Sequence, residues 1–147
     1  MGRMNSFSAL DIIKRVIDES VKEGDLCIDA TAGRGNDTLH LCRLVGDNGH
    51  VTAFDIQQEA VDSTKQLLQD NGMLHRADVL LKSHSEMDEL FAEDSVSFIT
   101  FNFGWLPKGD HNIFTQKDTS IEAIEKGLKL LKSGGIMSLI IYYGRET

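Results

Sequence analysis

The sequence is poor in cysteine, proline and positive charge, and these shortages restrict the classes of protein it can encode. Two cysteines and one proline occur among 147 residues. Cys27 and Cys42 fall in segments predicted as a strand and a helix, outside any cluster with metal-ligand spacing, so we expect small buried thiols in a reducing cytoplasm. The 15 basic residues are outnumbered by 23 acidic ones, and the net charge of −8 argues against nucleic-acid binding by the whole surface.

Long apolar runs, a secretory leader and linkers are also missing from the sequence. No segment approaches the ~18 apolar residues of a membrane span, and no charged-then-apolar leader precedes a small-residue cleavage site. Repeats and low-complexity tracts are absent, and 41% of the residues are hydrophobic, enough for a real core. We therefore expect one cytoplasmic domain, residues 1–147, with no membrane and no metal ion.

Positive charge gathers only in the last third of the chain, where a local basic patch could form. The lysines concerned are Lys108, Lys117, Lys126, Lys129 and Lys132. Judged from charge alone, solvated helix faces explain them better than a nucleic-acid interface does.

Apolar residues alternate between helical and strand periods along the whole chain. Helices are predicted over 7–21, 37–45, 58–70 and 118–131, with a short one near 87–91. Strands are predicted over 26–30, 50–56, 79–82, 96–101 and 136–142. This alternation predicts an α/β fold with a doubly wound, mostly parallel sheet and helices on both faces. Such sheets bind ligands at the carboxyl ends of their strands.

A glycine turn follows the first predicted strand and opens a helix. The turn begins at Asp29 and contains Gly33 and Gly35. Glycines let the backbone turn sharply and approach a ligand with no Cβ in the way, and the helix start presents backbone N–H groups. We expect Asp29 to add a fixed negative charge to this crevice.

A second acid, Asp55, follows the next apolar run and lies 20 residues after Gly35. That spacing is typical of a carboxylate that accepts hydrogen bonds from the hydroxyls of a ribose. A cofactor that carries a nucleoside is the resulting hypothesis, and the alternative is a glycine-rich turn that binds nothing.

The glycine pattern and the acids distinguish two kinds of nucleoside cofactor. A dinucleotide turn has a third glycine where this chain has Thr38. Asp29 and Asp37 would repel a pyrophosphate, whereas S-adenosylmethionine carries a sulfonium and an ammonium. S-adenosyl-L-methionine is therefore favoured, and NAD stays open as an alternative.

The segment after the fourth predicted strand holds the candidate acceptor site. The carbonyl oxygen of the Asn102 side chain can accept hydrogen bonds from a substrate amine and orient it. Phe103 and Trp105 offer flat faces for a base. The alternative is that both are ordinary core residues, and for Phe103 the two interpretations are equally supported. His111, next to Asp110, could take a proton, but a surface histidine in a loop is the commoner explanation. His84 is expected in the wall of the pocket near the adenine.

Four stretches together resemble a known family, the bacterial "putative rRNA methylase" group of MnmM-type tRNA methyltransferases. They are residues 29–38 (Asp-Ala-Thr-Ala-Gly-Arg-Gly-Asn-Asp-Thr), 54–57 (Phe-Asp-Ile-Gln), Ser83-His84, and 101–111 (Phe-Asn-Phe-Gly-Trp-Leu-Pro-Lys-Gly-Asp-His). Tyr142-Tyr143-Gly144 also fits the end of the family's fifth strand. The resemblance implies a Rossmann-like methyltransferase sheet and methyl transfer to the aminomethyl nitrogen of 5-aminomethyl-2-thiouridine at the tRNA wobble position.

The resemblance also implies a set of site residues. Those implied for the cofactor are Asp29, Thr31, Gly33, Gly35, Asn36, Asp37, Thr38, Asp55, Ile56, Gln57, Ser83, His84 and Asn102. Those implied for the substrate are Phe103, Gly104, Trp105, Asp110 and Tyr142, with Asn102 and His111 as the catalytic pair. The partner implied is tRNA, and a homodimer stays open.

The family continues past the fifth strand with a closing pair of strands, and this sequence stops at Thr147. We therefore expect a domain truncated after the fifth strand. Two other functions stay open: an rRNA or small-amine methyltransferase, and a catalytically silent fragment that only binds the cofactor.

Overall fold

The structure is a computed structural model that describes residues 9–105 and 112–142. Helices and strands alternate along these residues. The helices are α1 (Ala9–Ser20), α2 (Asn36–Val45), α3 (Gln58–Asp70) and α4 (Asn112–Leu130). The strands are β1 (Leu26–Asp29), β2 (His50–Asp55), β3 (Ala77–Leu81), β4 (Val96–Trp105) and β5 (Leu131–Tyr142). Short 3-10 helices cover Leu74–Arg76 and His84–Glu89.

The five strands form one parallel sheet in the order β3-β2-β1-β4-β5. The strand order reverses at β1, which lies between β2 and β4. This is the switch point at which open α/β sheets bind their ligands. The predicted α/β class and parallel sheet are therefore confirmed, and the end of β1 is the place to look for a site.

Apolar side chains bury both faces of the sheet. On one face, α1, α2 and α3 pack through residues such as Ile17, Leu41 and Leu68. On the other face, α4 and the 3-10 helix at His84–Glu89 pack through Ala123 and Met87. Because helices cover both faces, the carboxyl edge of the sheet is where the loops can present polar residues.

Both cysteines are buried and free, as expected. Burial raises the pKa of the Cys27 thiol to about 12, and it does the same for Cys42. The two thiols therefore stay protonated at neutral pH and belong to the core.

Three predicted boundaries differ clearly from the structure. α4 begins at Asn112, six residues before the predicted start at 118. β4 continues four residues beyond Phe101 to Trp105, because it pairs with β5 as far as the Trp105–Tyr142 register, with a shift after Asn102. β5 begins at Leu131, five residues before the predicted start at 136, and so includes Gly134 and Gly135. Pairing between β4 and β5 outweighs the weak strand propensity of asparagine and glycine.

Candidate functional site

Asp29 ends β1 and lies completely buried beneath the glycine turn. Its Oδ2 accepts a hydrogen bond from Thr38 Oγ1 at 2.6 Å, and its Oδ1 accepts one from the Thr31 backbone at 3.1 Å. Burial raises the pKa of Asp29 to about 7, and the two hydrogen bonds only partly oppose that effect. Asp29 therefore lies beneath the turn rather than open in the crevice, and near neutral pH it is only partly ionised. Asp29 and the buried Thr38 instead join the turn to the first turn of α2.

The two glycines of the turn, Gly33 and Gly35, have different structural roles. Gly33 is exposed, and a Cβ built there would meet nothing closer than the Thr31 carbonyl at 3.9 Å. Gly35 is buried, and a Cβ built there would lie 2.9 Å from the Cα of Thr64 in α3. Both have positive φ, +55° and +94°. Gly33 therefore has the open backbone that close approach to a ligand requires. Gly35 lets the turn pack against α3, whereas the sequence predicted the same role for both glycines.

Asp55 ends β2 and faces the turn from the neighbouring strand. Its Oδ2 accepts a hydrogen bond from the Gly33 backbone at 3.0 Å, and its Oδ1 accepts one from the Gln57 backbone at 3.0 Å. A carboxylate has about four lone-pair positions, so two remain for a ligand. Ile56 is 62% exposed directly beside it, and Gln57 is exposed at the start of α3. An acid next to an open glycine and an exposed apolar side chain suits a sugar and a flat base.

His84 lies between the end of β1 and the aromatic residues of β4. Its Nδ1 is 2.9 Å from the Ala30 carbonyl oxygen. Its ring lies 5.5 Å from the ring of Phe101 and 6.1 Å from that of Phe103, measured between centroids. Burial lowers the pKa of His84, so the neutral ring donates from Nδ1 to Ala30 and keeps an acceptor lone pair on Nε2.

Ser83 caps the 3-10 helix that carries His84. Its Oγ accepts a hydrogen bond from the Ser85 backbone, and the Glu86 side chain accepts one from the Ser83 backbone. This reciprocal capping fixes the start of the helix. It gives Ser83 a structural task beside the expected cofactor contact.

Asn102 connects the acceptor segment to the turn after β1. Its backbone N–H donates to Thr31 Oγ1 at 2.6 Å, and its side chain lies close enough to Asp37, in the first turn of α2, to lower the pKa of that carboxyl. Asn102 lies within β4 rather than at its end, although the register with β5 shifts directly after it. Burial raises the pKa of the Asp37 carboxyl, and nearby His40 and Asn102 oppose this.

The other expected site residues are placed as follows. Asn36 is exposed as the first residue of α2. Phe103 is half-buried and stacks on Phe101, with centroids 5.6 Å apart. Gly104 and Trp105 end β4, and Tyr142 ends β5. For Trp105 and Tyr142 the structure describes the backbone but not the side chain. Asp110 and His111 lie outside the described residues altogether.

Three residues that shape the site were not predicted from the sequence. Phe101 and the Ala30 carbonyl position His84, and Thr64 donates to the Gly33 carbonyl oxygen at 3.1 Å. The alternation of Phe101 and Phe103 around Asn102 was a usable signal for an aromatic pair on one face of β4. Nothing near Thr64 in sequence indicates that α3 supports the turn.

The described residues hold no group of three or more His, Cys, Asp or Glu side chains arranged to bind a metal ion. Across the same part of the chain, no helix has both the length and the apolar character needed to cross a membrane.

A family model and a solved structure indicate the same family. Residues 51–147 match the family described as "Putative rRNA methylase". A putative rRNA methylase from Clostridium thermocellum superposes with a TM-score of 0.85 at 42% identity, over 95% of this chain and 75% of that one. A putative methyltransferase from Streptococcus mutans, solved with SAH, gives a TM-score of 0.79 at 29% identity, over 93% of this chain and 74% of that one.

A curated relative carries a more specific name. The chloroplastic tRNA (mnm(5)s(2)U34)-methyltransferase of Arabidopsis thaliana is 39% identical over 145 residues, which is 92% of this chain and 53% of that protein. The chain thus spans about half the length of this relative. On the family match and the shared sheet, this chain belongs to the putative rRNA methylase family and has its Rossmann-like methyltransferase fold.

Proposed function

We propose that this chain binds S-adenosyl-L-methionine at the carboxyl ends of β1 and β2 and transfers its methyl group to an amine on tRNA. The acceptor we infer is the aminomethyl nitrogen of 5-aminomethyl-2-thiouridine at the wobble position. The observation that carries the proposal is the hydrogen bond of 2.6 Å from the Asn102 backbone N–H to Thr31 Oγ1, because it joins the cofactor turn after β1 to the strand residue whose side chain we assign to the amine.

The residues present fit the cofactor. Gly33 leaves open space beside its backbone, and Asp55 lies within hydrogen-bond distance of it with lone pairs to spare. We assign Asp55 to the ribose hydroxyls and the exposed face of Ile56 to the adenine. The Streptococcus mutans relative was solved in complex with SAH, which supports a cofactor of this class.

Residues at the same edge of the sheet also orient the acceptor amine. Bound S-adenosylmethionine supplies an electrophilic methyl group. The Asn102 carbonyl accepts a hydrogen bond from an amine N–H and thereby fixes the direction of the nitrogen lone pair. The stacked rings of Phe101 and Phe103 lie on the other face of β4 from the Asn102 side chain, beside His84.

The proposed nucleobase substrate is supported by the name of the Arabidopsis relative and by the chemistry of Asn102. An amide carbonyl recognises an N–H donor, which an aminomethyl group supplies. Net acidity of the chain leaves the general phosphate attraction weak, so recognition through the modified base is expected to matter more than recognition of the RNA backbone.

A methylation assay tests the proposal. The 147-residue chain is incubated with S-adenosylmethionine and tRNA from cells that lack the final methyl group, and the nucleosides are analysed by mass spectrometry. We expect conversion of 5-aminomethyl-2-thiouridine to its methylaminomethyl form, and a loss of turnover in Asn102→Ala without loss of S-adenosylhomocysteine affinity. Methylation of rRNA or free amines but not of tRNA would replace the substrate, and cofactor binding without turnover on any of them would indicate a silent binding domain.

A further inference from the structure

The hydrogen-bond ladder between β1 and β4 ends in an exchange of partners. Its last main-chain bond runs from the Ala30 N–H to the Thr100 carbonyl oxygen at 2.9 Å. In a parallel ladder, the residue that donates such a bond accepts the next one through its own carbonyl, from the N–H two residues further along the partner strand. A continued ladder would therefore join the Asn102 N–H to the Ala30 carbonyl oxygen.

Two side chains take the places of these ladder partners. The Asn102 N–H donates to Thr31 Oγ1 at 2.6 Å, and the Ala30 carbonyl oxygen accepts from His84 Nδ1 at 2.9 Å. A carbonyl oxygen has no proton to donate, so Nδ1 is the donor in the second bond. Both backbone groups are thus paired although β1 and β4 no longer bond to each other, and the strands can part here without leaving either group unsatisfied.

Thr31 can hold Asn102 because Thr31 is itself held. Its N–H donates to Oδ1 of Asp29 at 3.1 Å. Asp29 is completely buried and accepts a second hydrogen bond from Thr38 in the first turn of α2. On the other side of β4, the register with β5 shifts directly after Asn102. The Thr31 hydroxyl therefore anchors β4 at the point where its pairing with both neighbouring strands becomes irregular.

We propose that Thr31 is a positioning residue: its hydroxyl replaces a ladder acceptor for Asn102 and so holds the Asn102 side chain at the opening between β1 and β4, where the methyl acceptor binds. This inference rests on the proposed function, because it concerns how the acceptor amine is oriented. It gives Thr31 a task other than the cofactor contact implied by the family resemblance. The task depends on one atom, since Oγ1 makes the contact.

The variants Thr31→Val and Thr31→Ser separate the hydroxyl from the rest of the side chain. Valine keeps the shape of threonine but cannot accept the Asn102 N–H, whereas serine keeps the hydroxyl. We expect Thr31→Val to lower kcat about 10- to 100-fold, the scale of a misplaced reacting group, and to change the Kd for S-adenosylhomocysteine by less than about twofold. Thr31→Ser should retain most of the kcat. An unchanged kcat in Thr31→Val, or a rise in Kd as large as the fall in kcat, would overturn the inference.

A double-mutant cycle tests whether Thr31 acts through Asn102. Thr31→Val introduced into Asn102→Ala should lower kcat by less than about twofold, because the side chain that Thr31 positions is already gone. Losses that multiply independently would show that Thr31 acts on the cofactor or the acceptor by another route, and would contradict the inference.

Hydrogen exchange of the Asn102 backbone amide tests the contact without cofactor or substrate. The amide should exchange at least about 10-fold faster in Thr31→Val than in wild type, because its acceptor is lost. Thr64→Val is the matched control, since it removes a hydroxyl that bonds the same turn at the Gly33 carbonyl oxygen, 3.1 Å away. It should leave the exchange of Asn102 unchanged. Unchanged protection in a folded Thr31→Val protein, or equal acceleration in Thr64→Val, would overturn the inference.

Failure of the inference and failure of the proposed function give different results. A wild-type protein that protects the Asn102 amide yet methylates no amine on tRNA would refute the proposed function, and the inference with it. Methylation of the amine at full rate by Thr31→Val would refute the inference alone.

Discussion

Thr38 donates a hydrogen bond to Asp29 across 2.6 Å in a place where both side chains are fully buried. This bond ties the end of β1 to the first turn of α2, and the glycine turn between them is held at both ends. The cofactor turn therefore depends on a carboxyl group that has no contact with solvent. Because that group is buried, its protonation is coupled to folding.

The stability contributed by Asp29 is expected to fall as the pH rises. Its pKa in the folded protein is about 7, against an ordinary value of 3.8. The folded state thus binds the proton more tightly than the unfolded state, and the resulting stabilisation is complete below 3.8 and lost as the pH rises through 7. Replacing Asp29 by asparagine removes this dependence. Relative to wild type, Asp29→Asn should therefore gain about 2–3 kcal/mol in its free energy of unfolding between pH 5 and pH 8.

Urea unfolding of both proteins at the two pH values measures that difference. Wild type and Asp29→Asn share every other titrating group, so these cancel in the comparison. A difference in free energy of unfolding that stays constant with pH would show that Asp29 is already ionised in the folded protein.

Removal of Asp55 should weaken cofactor binding without unfolding the chain. Its carboxylate is half-exposed, and we assign it to the ribose; charge-assisted hydrogen bonds of this kind contribute about 1.5–3 kcal/mol. We expect the Kd for S-adenosylhomocysteine to rise about 10- to 100-fold in Asp55→Ala, measured by calorimetry. Asp78→Ala, at an exposed acid in β3, is the control and should bind as wild type does.

The two glycines of the turn should respond differently to an added methyl group. Both substitutions strain a positive φ, at a cost of about 1–2 kcal/mol. Only Gly35→Ala also places a Cβ 2.9 Å from the backbone of Thr64, which adds an overpacking cost of about 1–3 kcal/mol. Thermal unfolding should therefore show the larger drop in Tm for Gly35→Ala, and equal drops would mean that α3 moves away freely.

His84 should titrate below the ordinary histidine value. Burial lowers its pKa, and the neutral ring donates to the Ala30 carbonyl at 2.9 Å. The folded state thus binds the proton less tightly than the unfolded state, so stability due to His84 is present above pH 6.5 and is lost as the pH falls through the lowered pKa. An NMR titration of the His84 ring, assigned by its disappearance in His84→Phe, checks this. A midpoint above 6.5 would contradict the lowered pKa of His84.

Sequence alone predicted the sheet well because parallel α/β units repeat a local pattern of apolar residues. It could not predict that β4 extends to Trp105, since that extension depends on pairing with β5, far along the chain. In the site, the contact between Gly33 and Asp55 could be predicted, because β1 and β2 end at the same edge of the sheet. The burial of Asp29 and the packing of Gly35 on Thr64 depend on how α2 and α3 pack on the sheet. No local sequence motif specifies that packing.

The most direct test of the account is a calorimetric titration of the 147-residue chain with S-adenosylhomocysteine, with circular dichroism to verify that the chain is folded. Saturable binding at one site per chain is the predicted result, because the turn after β1 and Asp55 are both in place in this structure. A folded chain that binds no S-adenosylhomocysteine would contradict the assignment of Gly33 and Asp55, and with it the proposed methyl transfer.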